Sequence, residues 1–563
     1  MDSQSEGVDE IVRTDVLIIG GAAAGMPAAI EAAKYGVDVA LIDKGRVGFC
    51  GSAVASDGET AAIHHPDDSE EIYLKDTLEG GGYLGVRELA ETVVREGNQA
   101  VDKLEIYGVP YWRGSDGKLK LWREWSFSYP RTPYVRGGGP AYTLALRKEA
   151  LHRGVKFYEK MMVHELLVDG DSAYGCLAIN TVNGKSILFQ AKSVVLAAGG
   201  ATDLYPYTSA GSTRTTGDGY WLDWNAGLEF INMEFVSFTR IPAPHGIPMP
   251  SAGLAHLFIS GAKYYNALGE RFLKGREGSD PERKDRLQRS EMFYSFYREI
   301  KEGRGPIYMD ATEISEERYY ELEHVLNSNI LERLRAVGVN PKKERFQWIA
   351  PAVHDFLGGA RIDANCQTSI PGLYVAGESA GGIYGATRCG DYLTACAVFG
   401  FRAGKNAAEE ALRTSLREAP WKKVGSKLDE VRKIGEKREG EEHESVRKNI
   451  KEIAGKYLSI EREEEGLKEA VKQFERIMGE EIYRVRVKDV EDHIKALELR
   501  NLSLTGRLIA EAALRRRETR GHHHRTDYPK SDDAWLKWII LKKDGDKVRL
   551  DMRTYLIKFP SLI

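Results

Sequence analysis

The feature that most restricts what this chain can fold into is a strand, a glycine turn, a helix and a second strand compressed into residues 14–43. TDVLIIGG reads as a buried strand, AAAGMPAAIEAAKYG as an alanine-rich helix closed by Gly36, and VDVALIDK as the next strand. This is a βαβ unit. In its turn, GGAAAG, Gly20 and Gly25 take the first and last places of a GxGxxG pattern and Ala22 takes the middle one. The first glycine permits the tight turn and the last lets helix and strand approach. The helix N-terminus offers free N–H groups to a pyrophosphate. Asp43 closes the second strand about 20 residues further on, where an acid accepts from ribose hydroxyls. A dinucleotide is therefore expected against Gly20, Gly21, Ala22, Ala24, Gly25, Asp43 and Lys44.

Two later segments decide which dinucleotide. KSVVLAAGG at 192–200 and GLYVAGESAGG at 372–382 resemble the second and third FAD-contacting stretches of large flavoproteins. They add Ala198, Gly199, Gly200, Gly377 and Glu378 to the expected contact set. Their separation implies a domain assembled from distant pieces, with an insertion at roughly 241–351. The chain has no second complete strand–glycine-turn–helix fingerprint and no CxxxxC redox pair. Electrons are thus expected from a protein or quinone-linked partner and not from NADH.

At 563 residues more than one domain is the default. With 42% hydrophobic and 29% charged residues the chain is globular, and a net charge of -4 gives no footprint for nucleic acid. The acidic start MDSQSEGVDEIVRTD lacks the basic and apolar regions of a secretory signal, and no run approaches the about 20 apolar residues of a membrane span. A cytoplasmic location is expected, or one at the inner face of a membrane through partners. Five scattered cysteines without a CxxC pair argue against a zinc site, a cluster or a disulfide framework. Beyond about residue 415 long charged stretches mark solvated helix faces. Residues 493–514 have the spacing of an amphipathic helix, and the end of the chain looks strand-rich with a hairpin turn at Asp544–Gly545.

Ordered landmarks run through nearly the whole chain: TGDGYWLDWNAGLEFINMEFVSF at 216–238, NALGERF at 266–272, REIKEGRGPIYMD at 298–310, PAVHDFLGGARID at 351–363, IPGLYVAGESAGGIYGATRCGD at 370–391 and EAALRRRETRGHHHRTDYPKSDDAWLKW at 511–538. By them the chain resembles the flavoprotein subunit of the fumarate reductase and succinate dehydrogenase family, which also contains L-aspartate oxidase and, more distantly, the adenylylsulfate reductase catalytic subunit. The resemblance implies an α/β fold: a Rossmann-like FAD-binding domain (1–240 with 352–415), an inserted α+β capping domain (241–351), a C-terminal helical domain (416–525) and a tail (526–563). It makes HHH at 522–524 part of a signature and not a metal tract, so no metal is expected.

The resemblance also assigns roles. Arg388 matches a substrate-binding arginine beside the flavin, and its fork suits a carboxylate. His354 matches a substrate-binding histidine, and Arg289 falls where the family has its proton-delivering arginine. Ser52, Gly58, Thr216 and Asp218, with Arg388, complete the implied FAD contacts. Three departures matter. No histidine lies in GFCGSAVASDG at 48–58, so FAD is expected without a covalent link. The family's His-Pro-Thr-Gly element is replaced by Thr239, Arg240, Ile241 and Pro242, which removes one substrate histidine and adds a cation at Arg240. The acidic proton-relay loop is replaced by LFISGAKYYNALGERF at 257–272. The expected activity is reversible hydride transfer between FAD and a small anionic substrate, an unsaturated carboxylate, with electrons exchanged through an iron–sulfur or ferredoxin-like partner. Two alternatives stay open: a sulfur-compound reductase of the adenylylsulfate type, and an electron-transfer module with no small substrate of its own.

Overall fold

The structure, a computed structural model, describes residues 7–124, 126–169, 172–210, 215–249, 254–273, 289–325, 330–545 and 547–554. The elements that place the site are, in chain order, β1 (Val16–Ile19), α1 (Gly25–Ala33), β2 (Val39–Asp43), β3 (Lys156–Glu159), β4 (Ser193–Leu196), β5 (Val236–Pro242), β6 (Lys263–Tyr265), α2 (Arg289–Lys301), β7 (Ile307–Asp310), β8 (Phe346–Phe356), β9 (Leu373–Val375), α3 (Tyr392–Arg413), α4 (Val490–Arg515), β10 (Lys537–Asp544) and β11 (Lys547–Thr554).

β1 is the run VLII, every residue buried, the composition of a strand covered on both faces. It lies at the centre of a sheet ordered β9-β4-β1-β2-β3, all pairs parallel. Segments as distant as 16–19 and 373–375 therefore share one sheet, as the separated motifs require. Helix α1 starts on Gly25 and carries Pro27 in its first turn, where no backbone N–H is needed. It packs closely on α3, because a Cβ at Gly400 or Gly404 would stand 2.4 or 2.1 Å from the carbonyl oxygens of Ala24 and Ala28.

A second sheet, ordered β5-β8-β7-β6, is antiparallel. Beside it the inserted segment has a core of its own, built on Leu257, Tyr264, Phe293, Phe296, Ile307 and Trp348. The pairing of β5 with β8 is irregular twice. Ser237 faces Asp355 while Phe238 faces Val353, so His354 is an extra residue, and between Thr239 and Ile241 the register slips again at Arg240. Bulges re-aim side chains and recur beside active sites.

The helix expected over 493–514 forms as α4 but does not have one apolar face. From Ile494 to Ala513 nearly all of its side chains are buried, Glu498, Arg500 and Asn501 among them. Helices Glu464–Gly479 and His443–Tyr457 and the segment Asp218–Ala226 surround it, and Glu498 and Asn501 meet Lys44 and Asp218 from other elements. The expected hairpin forms between β10 and β11, and β10 also pairs with Phe230–Ile231. The tail is described to Thr554. Among the described residues no helix is long and apolar enough to cross a membrane.

Candidate functional site

A cleft enclosing about 1490 Å³, open mouth included, runs past the C-terminal ends of β1, β2 and β4, the place where open parallel sheets bind ligands. The predicted cofactor residues line it except Gly25, Gly58, Gly200 and Thr216, each of which adjoins a lining residue in the chain. Gly20 has φ +103 and a Cβ there would lie 2.2 Å from the Ala197 carbonyl oxygen, while one at Gly25 would lie 1.8 Å from that of Gly20. No other residue fits either place. The turn is fixed by Asp43, which accepts from the N–H groups of Gly21 (2.9 Å) and Gly45 (2.7 Å). Ser52, on the cleft wall, has a buried hydroxyl with no hydrogen-bond partner among the described residues. A long cleft, a glycine turn at a helix N-terminus and an unmet hydroxyl suit a dinucleotide such as FAD.

Glu378 ties the second and third motifs together. Its carboxyl oxygens accept from Gly200 N–H and Phe356 N–H, each at 3.0 Å, and a Cβ on Gly200 would stand 2.6 Å from that carboxyl. Burial, then Asp355, pushes its pKa up to about 8. Lys44, Asp218 and Thr216 form a network behind the cleft. Lys44 Nζ bonds Asp218 (2.7 Å), Glu498 of α4 (3.0 Å) and Thr216 Oγ1 (2.6 Å). Burial works against the charge of Glu498, yet Lys44, Lys495 and Arg447 hold its carboxyl down to about 2.

At the other end of the cleft the structure brings His354, Arg388, Arg289 and Arg240 together. Arg388, 4% exposed, donates from Nε to Asp355 (2.5 Å), from Nη1 to the Cys389 carbonyl (2.9 Å) and from Nη2 to His354 Nε2 (3.0 Å). Since a guanidinium only donates, His354 Nε2 accepts and its Nδ1–H donates to Ser209 Oγ at 2.5 Å. Burial, with Arg289 and Arg388, lowers the His354 pKa to about 3, so the ring is neutral. Burial opposes the Asp355 charge, but Arg388, His354 and Arg289 hold its carboxyl well below the usual range. Arg289, on the first turn of α2, is buried with its Nε unpartnered among the described residues, and burial and Arg388 push it down to about 10. Arg240 lies among aromatic rings, 5.7 Å from Tyr264, 5.2 Å from Phe293 and 5.0 Å from Trp348. Its Nε donates to Tyr264 OH at 3.1 Å, and its Nη2 has no partner among the described residues.

Residues 15–391 match the FAD binding domain family and residues 447–560 match the fumarate reductase flavoprotein C-terminal family. A fumarate reductase (CoM/CoB) subunit from Methanothermobacter marburgensis is 32% identical over 95% of this chain and 98% of its own. The chain belongs to the fumarate reductase and succinate dehydrogenase flavoprotein family. As a member it is an FAD-dependent oxidoreductase. The quinol fumarate reductase flavoprotein of Escherichia coli superposes with TM-score 0.89 at 26% identity, covering 98% of each chain. Adenylylsulfate reductase of Archaeoglobus fulgidus shares the fold, with TM-score 0.82 at 21% identity over 99% of this chain and 98% of its own.

Several neighbours of the site in this family member have no sequence signal of their own. Ser209, which sets the His354 tautomer, belongs to no motif. Asp355, which anchors Arg388, follows His354 directly, yet nothing in the 351–363 landmark marks it out. Asp57 and Glu59 line the cleft. Glu124 accepts from Tyr134 OH, and burial and Glu59 raise its pKa to about 7. Burial raises Glu59 as well, against the pull of Arg388 and Arg289. Acids beside a cationic corner are visible only once the chain is folded. The signature histidines are structural or buried: His523 Nδ1 meets Arg462, His524 stacks on Tyr294 at 4.0 Å, and no group suited to a metal occurs among the described residues.

Proposed function

We propose that this flavoprotein subunit carries out reversible hydride transfer between FAD and a small unsaturated carboxylate, and exchanges electrons with an iron–sulfur or ferredoxin-like partner. The observation that carries this reading is the Arg388–His354 pair, locked by Asp355 and Ser209, beside Arg289, whose Nε is unmet among the described residues. Three of the five N–H groups of Arg388 are engaged. The two unmet by the described residues, one on each Nη, make a fork for a carboxylate. His354 keeps the fork in place and, being neutral, adds no charge of its own. Bound FAD, held by the glycine turn with Ser52 and Glu378 beside it, would supply hydride chemistry toward a double bond clamped by Arg388. Arg289 then gives a proton to the carbon left with the electron pair, so the C=C gains H⁻ and H⁺ and no group leaves. A guanidinium normally stays protonated, and the lowering of Arg289 to about 10 makes it a stronger acid than an exposed arginine. Arg240 adds positive charge at the far end.

FAD is held without a covalent bond in this reading, since residues 48–58 offer no histidine and His354 is the one histidine among the described residues that line the cleft. The protein works in the cytoplasm or at the inner face of a membrane through its partner. Steady-state reduction with reduced viologen, over a panel of unsaturated mono- and dicarboxylates and adenylylsulfate, tests the assignment. Turnover of a carboxylate is the expected result. Release of sulfite from adenylylsulfate, or electron transfer to a protein with no small-molecule turnover at all, would overturn it.

A further inference from the structure

His522 lies in the C-terminal signature, far in sequence from every residue assigned above, yet its ring is buried in the arginine corner. It is 1% exposed. The backbone N–H of Phe238 donates to its Nδ1 at 3.3 Å. Because Nδ1 is an acceptor, the ring's hydrogen is on Nε2. That Nε2–H has no partner among the described residues. Burial, followed by Arg289, keeps the ring neutral, and His354 and Asp355 are also close enough to act on it.

The surroundings give this donor a meaning. Phe293 stacks on the imidazole with ring centroids 6.2 Å apart, and the same phenylalanine packs against Arg240 (5.2 Å) and Arg289 (5.5 Å). Three buried side chains around one ring thus each have an N–H bearing atom unmet by any described residue: Nε2 of His522, Nη2 of Arg240 and Nε of Arg289. A single unmet buried donor costs a fold about 1–3 kcal/mol, and an acceptor bound beside them would relieve that cost. A carboxylate accepts up to four bonds. The Arg388 fork already takes one such group, so the acceptor here is a second one. His522 also sits against Phe238, one residue along β5 from Thr239, the position at which the resemblance leads one to expect a histidine.

We infer that His522 is a substrate-binding residue, its Nε2–H acting with Arg240 on the second carboxylate of a dicarboxylate. The inference rests on the proposed carboxylate chemistry of the same site. It requires only that the side chains around Phe293 part enough to admit the anion.

The test uses the FAD-loaded protein and two variants, His522→Ala and His522→Gln, the latter keeping an N–H near the place of Nε2. Reduced viologen drives fumarate, a dicarboxylate, and crotonate, a monocarboxylate; malonate, which cannot be reduced, is titrated against the flavin absorbance. In His522→Ala, KM for fumarate and Kd for malonate should rise roughly 10- to 100-fold, with crotonate changed less than about twofold and FAD content unchanged. His522→Gln should recover most of the loss. Equal losses for fumarate and crotonate, or no change in either, overturn the role of His522 while leaving the carboxylate reading intact. A wild-type protein that neither reduces a carboxylate nor responds to malonate overturns both.

Discussion

At the nucleotide end of the cleft the charged side chains are met by protein, and only the Ser52 hydroxyl is unmet by the described residues: Asp43 holds two backbone N–H groups, Glu378 holds two more, and Lys44 is shared by Asp218 and Glu498. At the arginine end the same degree of burial leaves Arg289, Arg240 and His522 with donors unmet by the described residues. The first end is finished by folding, and recognition there rests on shape, glycine turns and backbone. The second end is completed by an anion. Loss of a side chain should therefore act on stability and cofactor retention at one end and on substrate at the other.

The largest effect that would break this contrast concerns Arg388. Arg388→Gln removes the fork and the bond to Asp355, and turnover of the carboxylate substrate should fall by about 10³-fold, the upper end for loss of one preorganised donor, with FAD still bound. A variant that kept its activity would remove the proposed site. Next comes Lys44→Met. It removes the cation shared by Asp218 and Glu498 while Arg447 and Lys495 still hold Glu498, a change that costs about 1.5–3 kcal/mol. Thermal unfolding should show a clear loss of Tm, while KM for substrate in the surviving protein stays within about twofold. An effect of similar size belongs to Asp43→Ala. With the turn at Gly21 and Gly45 no longer fixed, and an acceptor lost, FAD should bind more weakly by about 1.5–3 kcal/mol. Dialysis followed by flavin titration measures it, and unchanged retention would show that the turn holds without Asp43.

The contrast also explains what the amino-acid sequence makes legible. Gly20 and Gly25 can be identified from the chain alone because a left-handed turn and a carbonyl under 2.5 Å from a would-be Cβ exclude every other residue. Arg388 and His354 are legible only through resemblance. What makes His354 available is a bulge, and its register is set by Phe238 on another strand. Ser209 reaches His354 across 145 positions, and no local pattern announces such a contact. Arg240 reads as a bare cation in sequence, but in the fold it lies among Tyr264, Phe293 and Trp348. Helix α4 looks amphipathic because its charges are counted as solvated, whereas Lys44, Arg447 and Lys495 bring partners to Glu498 inside the protein.

The smallest effect sharpens the comparison through pH. Each end has a buried carboxyl with a raised pKa: Glu378, held by two backbone N–H groups, at about 8, and Glu124, whose bond comes from Tyr134, at about 7. For Glu124 the folded value exceeds the 4.5 of an exposed glutamate, so between these limits the fold holds a proton that the unfolded chain releases. Stability from this group is therefore full below about 4.5 and is lost as pH rises through about 7, with a slope of at most about 1.4 kcal/mol per unit. Glu59 shares the titration, so the loss belongs to the pair. Glu124→Gln cannot titrate but still accepts from Tyr134. The Tm of this variant relative to wild type should climb between pH 5 and 7 and then level off. Malonate adds negative charge beside the two arginines that favour ionisation of Glu124, so it should move the levelling point of the difference to higher pH. Arg388 also favours ionisation of Glu378, so the Glu378 contribution should shift in the same direction. Parallel Tm curves for variant and wild type from pH 5 to 8 would mean that Glu124 is already ionised in the fold, and that the arginine corner neutralises its acids before substrate arrives.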